Sequence, residues 1–246
     1  MKKYELILED NIDFFGTKLF RILAISSFGN VKKGDEGGYI ASEKNLSQEG
    51  DAWVFDNARV SGNARVFGNA RVFGNARVYD NAQVYDNARV FGDARVYDNA
   101  QVFDNAQVFG DALVSGDARV SGDAWVFDNA QVFGDAQVFD NAWVSGDARV
   151  YGDARVYDNA RVFGNARVYD NALVSGNASD SPICISGSKW NITIADESIV
   201  IGCLAHSTDA WSKFTDEEIS AMADGALAWW KEWKVLVLGI ALEHQK

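Results

Sequence analysis

The sequence predicts an all-β solenoid, a parallel β-helix built of hexapeptide repeats, and three observations carry that expectation. From Val54 to Val174 every sixth residue is valine, and alanine stands two positions before each, without insertion or deletion. A fixed short period signals a stack of like units rather than a globular core. Side-chain parity then assigns the faces: in Ala76-Arg77-Val78-Tyr79 an extended backbone sends Ala and Val to one side and Arg and the ring to the other. Burying the rings would also bury the 11 arginines of residues 51–178 that share their side, at several kcal/mol per ion. Ala and Val therefore line the interior and the aromatics face outward. Third, each strand ends in a step of Gly or Asp followed by Asn or Asp, which is turn chemistry and reads as a corner.

Three hexads close an 18-residue triangular coil, and the columns this stride creates differ in composition. Trp53, Trp125 and Trp143 share a column with Phe55, Phe73, Phe91, Phe109, Phe127 and Phe163. The repeat tyrosines, Tyr79, Tyr85, Tyr97, Tyr151, Tyr157 and Tyr169, occupy the other two. Strands of about four residues, stacked roughly 4.8 Å apart, give about seven coils and a rod of about 34 Å. Asp in the first corner position is followed by Asn, and Asp in the second is preceded by Gly, so stacked corners avoid adjacent acids. Solvated, Arg-paired corners are expected. Calcium is not, because the Gly-Gly-x-Gly-x-Asp nonapeptide of calcium-binding rolls is absent.

The flanks follow other rules. In an N-terminal β cap at 1–50, Tyr4 to Glu9 and Lys18 to Ser26 read as a hairpin around Gly16. The glycine-rich stretch Lys32 to Tyr39 lacks Walker spacing and a following helix, so it reads as a turn feeding the first coil. A cap is needed because a bare first rung would offer unpaired N–H and C=O groups to other chains. The repeats fill 51–178, and Pro182 marks their end. The C-terminal module, 179–246, has β-like runs at Ile183–Ile185, Trp190–Ile194 and Ile199–Leu204. Thr215-Asp216-Glu217-Glu218 is a capping box that opens one helix running to about Leu242. A hairpin and a Trp-rich helix make a lid for the last coil.

A net charge of −12 opposes a long nucleic-acid partner, which normally meets a Lys/Arg surplus. Cys184 and Cys203 are too few for a disulfide framework and read as small buried hydrophobes, fitting a reduced cytoplasm. Glu9 and Asp10 interrupt any signal-peptide core. Val235 to Leu242, the longest strongly apolar stretch, falls far short of the roughly 20 residues of a membrane span. Cys203 and His206, with Cys184 as a third candidate, have zinc-like spacing but lack an evident fourth ligand. No metal or other cofactor is expected.

An aliphatic residue followed four positions later by a small one resembles the left-handed parallel β-helix of hexapeptide acyltransferases, which implies a left-handed coil. Those enzymes use a histidine near a coil and bind acyl-CoA between subunits. Here the histidines, His206 and His244, lie beyond the repeats, so no catalytic residue is assigned and acyl transfer is not expected. A closer resemblance covers nearly the whole chain. Val31-Lys32-Lys33-Gly34-Asp35-Glu36-Gly37-Gly38-Tyr39-Ile40, Ser42 to Ser47, the Asn-Ala-Arg-Val hexads, Ile192-Thr193-Ile194, Ile201-Gly202-Cys203, His206, Phe214 to Glu218 and Trp229-Trp230 are similar to hexapeptide-repeat proteins of phages and prophages. That resemblance implies a phage origin, a β-helix and expression in the host cytoplasm, with no settled activity.

The function expected is non-enzymatic binding that sequesters a host factor and antagonises a host process. One version is an acidic mimic of nucleic acid that occupies a host protein. The other stacks a small nucleotide between outward Arg and aromatic side chains, with Arg77, Tyr79, Arg95, Tyr97, Arg149 and Tyr151 as candidates. The alternative is a self-assembling scaffold whose outward rings pack on neighbouring rungs, at about 0.2–1 kcal/mol per pair. The strip of Trp53, Phe55, Phe73, Phe91, Phe109, Trp125, Phe127, Trp143 and Phe163 is expected to form a homo-oligomer interface, dimeric or trimeric. An apolar strip over several coils exceeds what monomers leave bare.

Overall fold

The computed structural model describes residues 2–185 and 188–245. Parallel two-residue strands such as Arg59–Val60 and Arg77–Val78 recur once per hexad, shorter than the periodicity suggests because corners and their flanks take the other four positions. They stack in register at a stride of 18, Gln107 pairing with Trp125 and Trp125 with Trp143. Three walls of ten, eight and seven strands result. Every Ala and Val from Ala52 to Ala178 at the inward positions is buried, contributing roughly 1.5–3 kcal/mol per valine.

The tryptophan column holds eight rungs, from Trp53–Val54 to Asn177–Ala178, more than the seven expected, because the strand that leaves the repeats adds a last rung here while the other two walls begin ahead of the repeats. Strands β1 (Tyr4–Phe14) and β2 (Thr17–Ala24) form the hairpin, and β3 (Glu36–Ile40) pairs antiparallel with β2 and parallel with the next rung. Ile40 lies against Val60 and Leu46 bridges Val66, so these residues and Val54 fill the valine positions of a first coil. A Cβ on Gly37 would stand 2.5 Å from the Val54 carbonyl oxygen, and one on Gly38 2.5 Å from that of Ala58. The glycine-rich stretch thus permits a close approach to the coil beneath it.

The corners are held differently from expectation. The first corner residue takes the left-handed conformation, whether Gly (Gly122, φ 66°) or Asp (Asp104, φ 56°; Asp140, φ 57°), a region that Asp tolerates better than most side chains. Several of these aspartates accept the amide N–H of the next coil, as Asp104 does from Gly122 and Asp128 from Gly146. The second corner residues form amide ladders: Asn63 donates to Asn81, Asn81 to Asn99, and Asn99 to Asp117. Among the described residues no ion pair joins repeat Arg to corner Asp; backbone amides and Asn side chains donate to several of the acids instead.

Because all rungs are parallel, backbone N–H groups point toward the following coil, Arg59 N to Ala76 O and Ser61 N to Val78 O. One end therefore presents carbonyls and the other amides. At the first end Lys3 Nζ donates to Glu49, Gly50 and Ala52 oxygens (3.4, 3.1 and 2.8 Å), and the Tyr4 hydroxyl to Leu46 O (2.7 Å). At the last, Arg167 N donates to Ser181 Oγ, Leu173 N to Thr193 Oγ1, and Ser179 N to Asp196 Oδ2. Donors cap the carbonyl end and acceptors the amide end.

The C-terminal module is a four-stranded antiparallel sheet, Ile183–Ile185, Ile192–Ile194, Ile199–Ile201 and Leu204–His206, rather than a hairpin. Three helices pack on it: α1 (Thr208–Lys213), α2 (Asp216–Met222) and α3 (Ala226–His244). The Thr215/Glu218 capping box is present. The single long helix expected there is broken at Gly225, whose φ of 75° starts α3 afresh. Cys203 is exposed and Cys184 half-buried, so only the latter approaches the packing role expected of both. No helix among the described residues is long and apolar enough to cross a membrane.

Candidate functional site: a gap in an aromatic ladder

The outward rings stack on one another along the axis. In the tryptophan column Phe73, Phe91, Phe109 and Phe127 form an unbroken ladder with centroids 4.7, 4.7 and 5.0 Å apart, and Trp125 stacks on Trp143 at 5.0 Å. Phe55 meets Phe73 edge-on, and Trp53, 1% exposed, lies inside the N-terminal cap between Tyr4 and Phe28. Trp53 is thereby removed from the partner surface expected of this column. The other rings cover each other's faces; of the strip, Phe163 is the one conspicuously exposed, at 40%. The bare apolar strip that motivated an oligomer interface is largely closed within one chain.

Covered faces also revise the stacking candidates. Tyr79 stacks on Tyr97 at 5.0 Å, and Tyr151 is sandwiched by Phe133 and Tyr169 at 4.9 and 5.6 Å. Burial, then the neighbouring Tyr97 hydroxyl, raises the Tyr79 pKa. The Arg77 guanidinium lies 5.7 Å from the Phe14 ring of the cap hairpin. Arg95 and Arg149 remain exposed, while Tyr79 and Tyr97 each have one face covered by the other and Tyr151 has both faces covered.

Free ring faces occur where a ladder stops. Serine replaces the ring at Ser61, Ser115, Ser121, Ser145 and Ser175, of which Ser61 and Ser175 stand at the ends of their columns. Ser115 is itself buried, and Ser145 follows Trp143, whose ring packs edge-on against Phe127 at 6.3 Å. At Ser121 the wall is open. Phe67, Tyr85 and Phe103 stack below it at 4.9 and 5.0 Å, and Phe139 and Tyr157 above it at 5.5 Å. Between Phe103 and Phe139 lies an open slot of about 310 Å³, lined also by Asp104, Arg119, Ser121, Gly122, Gln137 and Asp140. Phe103 and Phe139 are two coils apart, about 10 Å at β spacing. One planar ring therefore fits between them as the ladder's own rings fit each other.

Fixed and free polar groups edge the slot. Asp104 Oδ2 accepts from Gly122 N at 3.1 Å and Asp140 Oδ2 from Asp158 N at 3.3 Å. Among the described residues neither Oδ1 has a hydrogen-bond donor, and Arg119 has no ion pair or ring contact. Sequence reasoning weighted the rings and passed over this site. Its sequence signal is a serine between two phenylalanines at stride 18, which Ser145, between Phe127 and Phe163, shares.

The C-terminal module has an apolar cavity of about 130 Å³, bounded by Trp190, Trp211, Met222, Trp229 and Trp230, with exposed Cys203 among its lining residues. It is small beside the roughly 300–1,000 Å³ of ligand pockets. Cys184 lies on the first strand of the sheet and Cys203 follows the third, while His206 packs against Trp211 and Phe214. Among the described residues no group of three or more His, Cys, Asp or Glu side chains is arranged to hold a metal ion.

No curated protein matches the chain. The family model described as the YdcK beta solenoid repeat matches residues 58–72, 64–80, 70–83, 82–98, 106–122, 136–152, 148–162, 154–169 and 166–181. All these matches fall on the stacked hexads or the step that leaves them. With the parallel walls described above, they make the chain a β-solenoid repeat protein, similar along its coils to the YdcK beta solenoid repeat.

Proposed function

We propose that the protein is a non-enzymatic binding rod that holds a small planar ligand on its outer face. The observation that carries this reading is the slot at Ser121, where two ring faces are left without ring partners while carboxylate and guanidinium groups stand at the edge. Aromatic faces that sandwich a base contribute about 1–3 kcal/mol per stacked base, and the slot needs no movement to admit one. Sequestration of a host nucleotide is the biological form of this proposal, supported by the resemblance to phage-encoded hexapeptide-repeat proteins. The acidic-mimic version lacks a comparable geometric feature, since the acids engaged in the corner ladders are already bonded to amides of adjacent coils.

Thermal melting of the full chain against nucleosides and nucleotides tests the reading. A bound ligand at a hundred times its Kd adds about 2.7 kcal/mol of stability, so one class of compound is expected to raise the melting temperature in a saturable way. A flat response to every compound, with a protein co-purifying from the native host, would contradict small-ligand binding and favour mimicry.

A further inference from the structure

The edges of the slot are chemically unlike. Asp104 and Asp140 are first-corner residues held in the left-handed conformation, φ 56° and 57°. Each has one carboxylate oxygen fixed by a backbone amide of the next coil. That anchoring leaves Oδ1 as an acceptor without a donor among the described residues. Arg119, on the Ser121 rung, and Gln137, on the rung above, bring the donors. Two carboxylates against one guanidinium make the slot net acidic, so it selects against a ligand recognised mainly through phosphate. It favours a flat, uncharged ring system with N–H groups on one edge and acceptors on another.

We propose that the Ser121 slot receives one purine base, guanine in preference, sandwiched between Phe103 and Phe139. This rests on the reading of the outer face as a small-ligand surface. Guanine offers adjacent N–H donors to a carboxylate on one edge, and O6 and N7 acceptors to a guanidinium on another. Adenine lacks the carbonyl and the ring N–H, and a pyrimidine covers less of the two rings. Ser121 itself is the specificity element by its size, since a ring at this position would fill the slot as the ladder's own rings fill theirs.

Isothermal titration of the full-length protein with guanosine, guanosine 5′-monophosphate, adenosine and ribose 5-phosphate tests this. Guanosine should bind at one site per chain and at least tenfold more tightly than adenosine, with ribose 5-phosphate inert. Comparison of guanosine with its monophosphate shows whether the free nucleoside or the nucleotide is the better source of the base. Ser121→Phe should weaken guanosine at least thirtyfold while melting no lower than the wild type. Ser121→Ala should bind within about twofold of wild type, and Arg119→Ala should lose about tenfold in affinity. Guanosine binding undiminished in a folded Ser121→Phe would overturn the slot while leaving a binding rod in place. Absence of purine binding in the wild type would also overturn the slot; if another small compound still raises the melting temperature, the wider reading survives.

Discussion

Within the unbroken repeat, each coil satisfies the next: backbone amides find carbonyls 17 residues on, asparagines bond asparagines 18 residues on, and rings stack on rings. Where repetition stops, those groups lose their partners. At the two ends the chain replaces them, with the Lys3 ammonium and Tyr4 hydroxyl on carbonyls and with Ser181, Thr193 and Asp196 oxygens on amides. At Ser121 it does not, and the faces of Phe103 and Phe139 stay open. The comparison shows where function can reside in a regular solenoid: the ordered middle consumes its own binding chemistry, and interruptions release it.

Removing an end cap breaks the comparison most severely. Truncation after Ala178 should leave the amides of the last coil without acceptors and promote aggregation, measured by light scattering. Lys3→Met should cost about 2–3 kcal/mol by leaving buried carbonyls without a donor, read by denaturant titration. Burial lowers the Lys3 pKa to about 8 from 10.5, with Asp51 opposing. The folded chain thus releases this proton before the unfolded chain does. The wild type's advantage over Lys3→Met is therefore expected to grow as pH rises from 8 toward 10.5. Tyr4 is pushed the other way, its pKa raised from 10.0 by burial and then by Glu43. Its contribution is complete below pH 10 and declines above it, so Tyr4→Phe should flatten the alkaline fall of the melting curve. Smallest is Thr193→Val, expected to cost about 1 kcal/mol by depriving Leu173 N of its acceptor, with faster amide exchange confined to the last coils.

The repeat was legible because every residue in it has one role fixed by its place in a period of six. Inward Ala and Val, outward rings and the 18-residue stride all follow from parity and composition. The first coil was not, since Ile40, Leu46 and Val54 are spaced by six and eight residues and declare themselves only through pairing with Val60, Val66 and Val72. Nor was the break at Gly225, because a glycine inside a helical pattern reads as a tolerated defect until its φ is known. The site was missed for a different reason. Rings at Tyr79, Tyr97 and Tyr151 stand out in the sequence, yet Tyr151 has both faces covered and Tyr79 and Tyr97 one each, whereas Ser121 matters through what it lacks.

The most direct measurement exchanges an interruption for an unbroken rung, without any ligand, by comparing the unfolding free energies of Ser121→Phe and Phe91→Ser. Phe91 stacks on Phe73 and Phe109 at 4.7 Å each. Its loss should cost about 1–3 kcal/mol, the value of two aromatic pairs. Filling the gap at Ser121 should create two such pairs and raise stability by about 1–2 kcal/mol. Opposite signs are the predicted result. If both substitutions destabilise the protein, Phe103 and Phe139 have no free faces to offer and the Ser121 slot is not open.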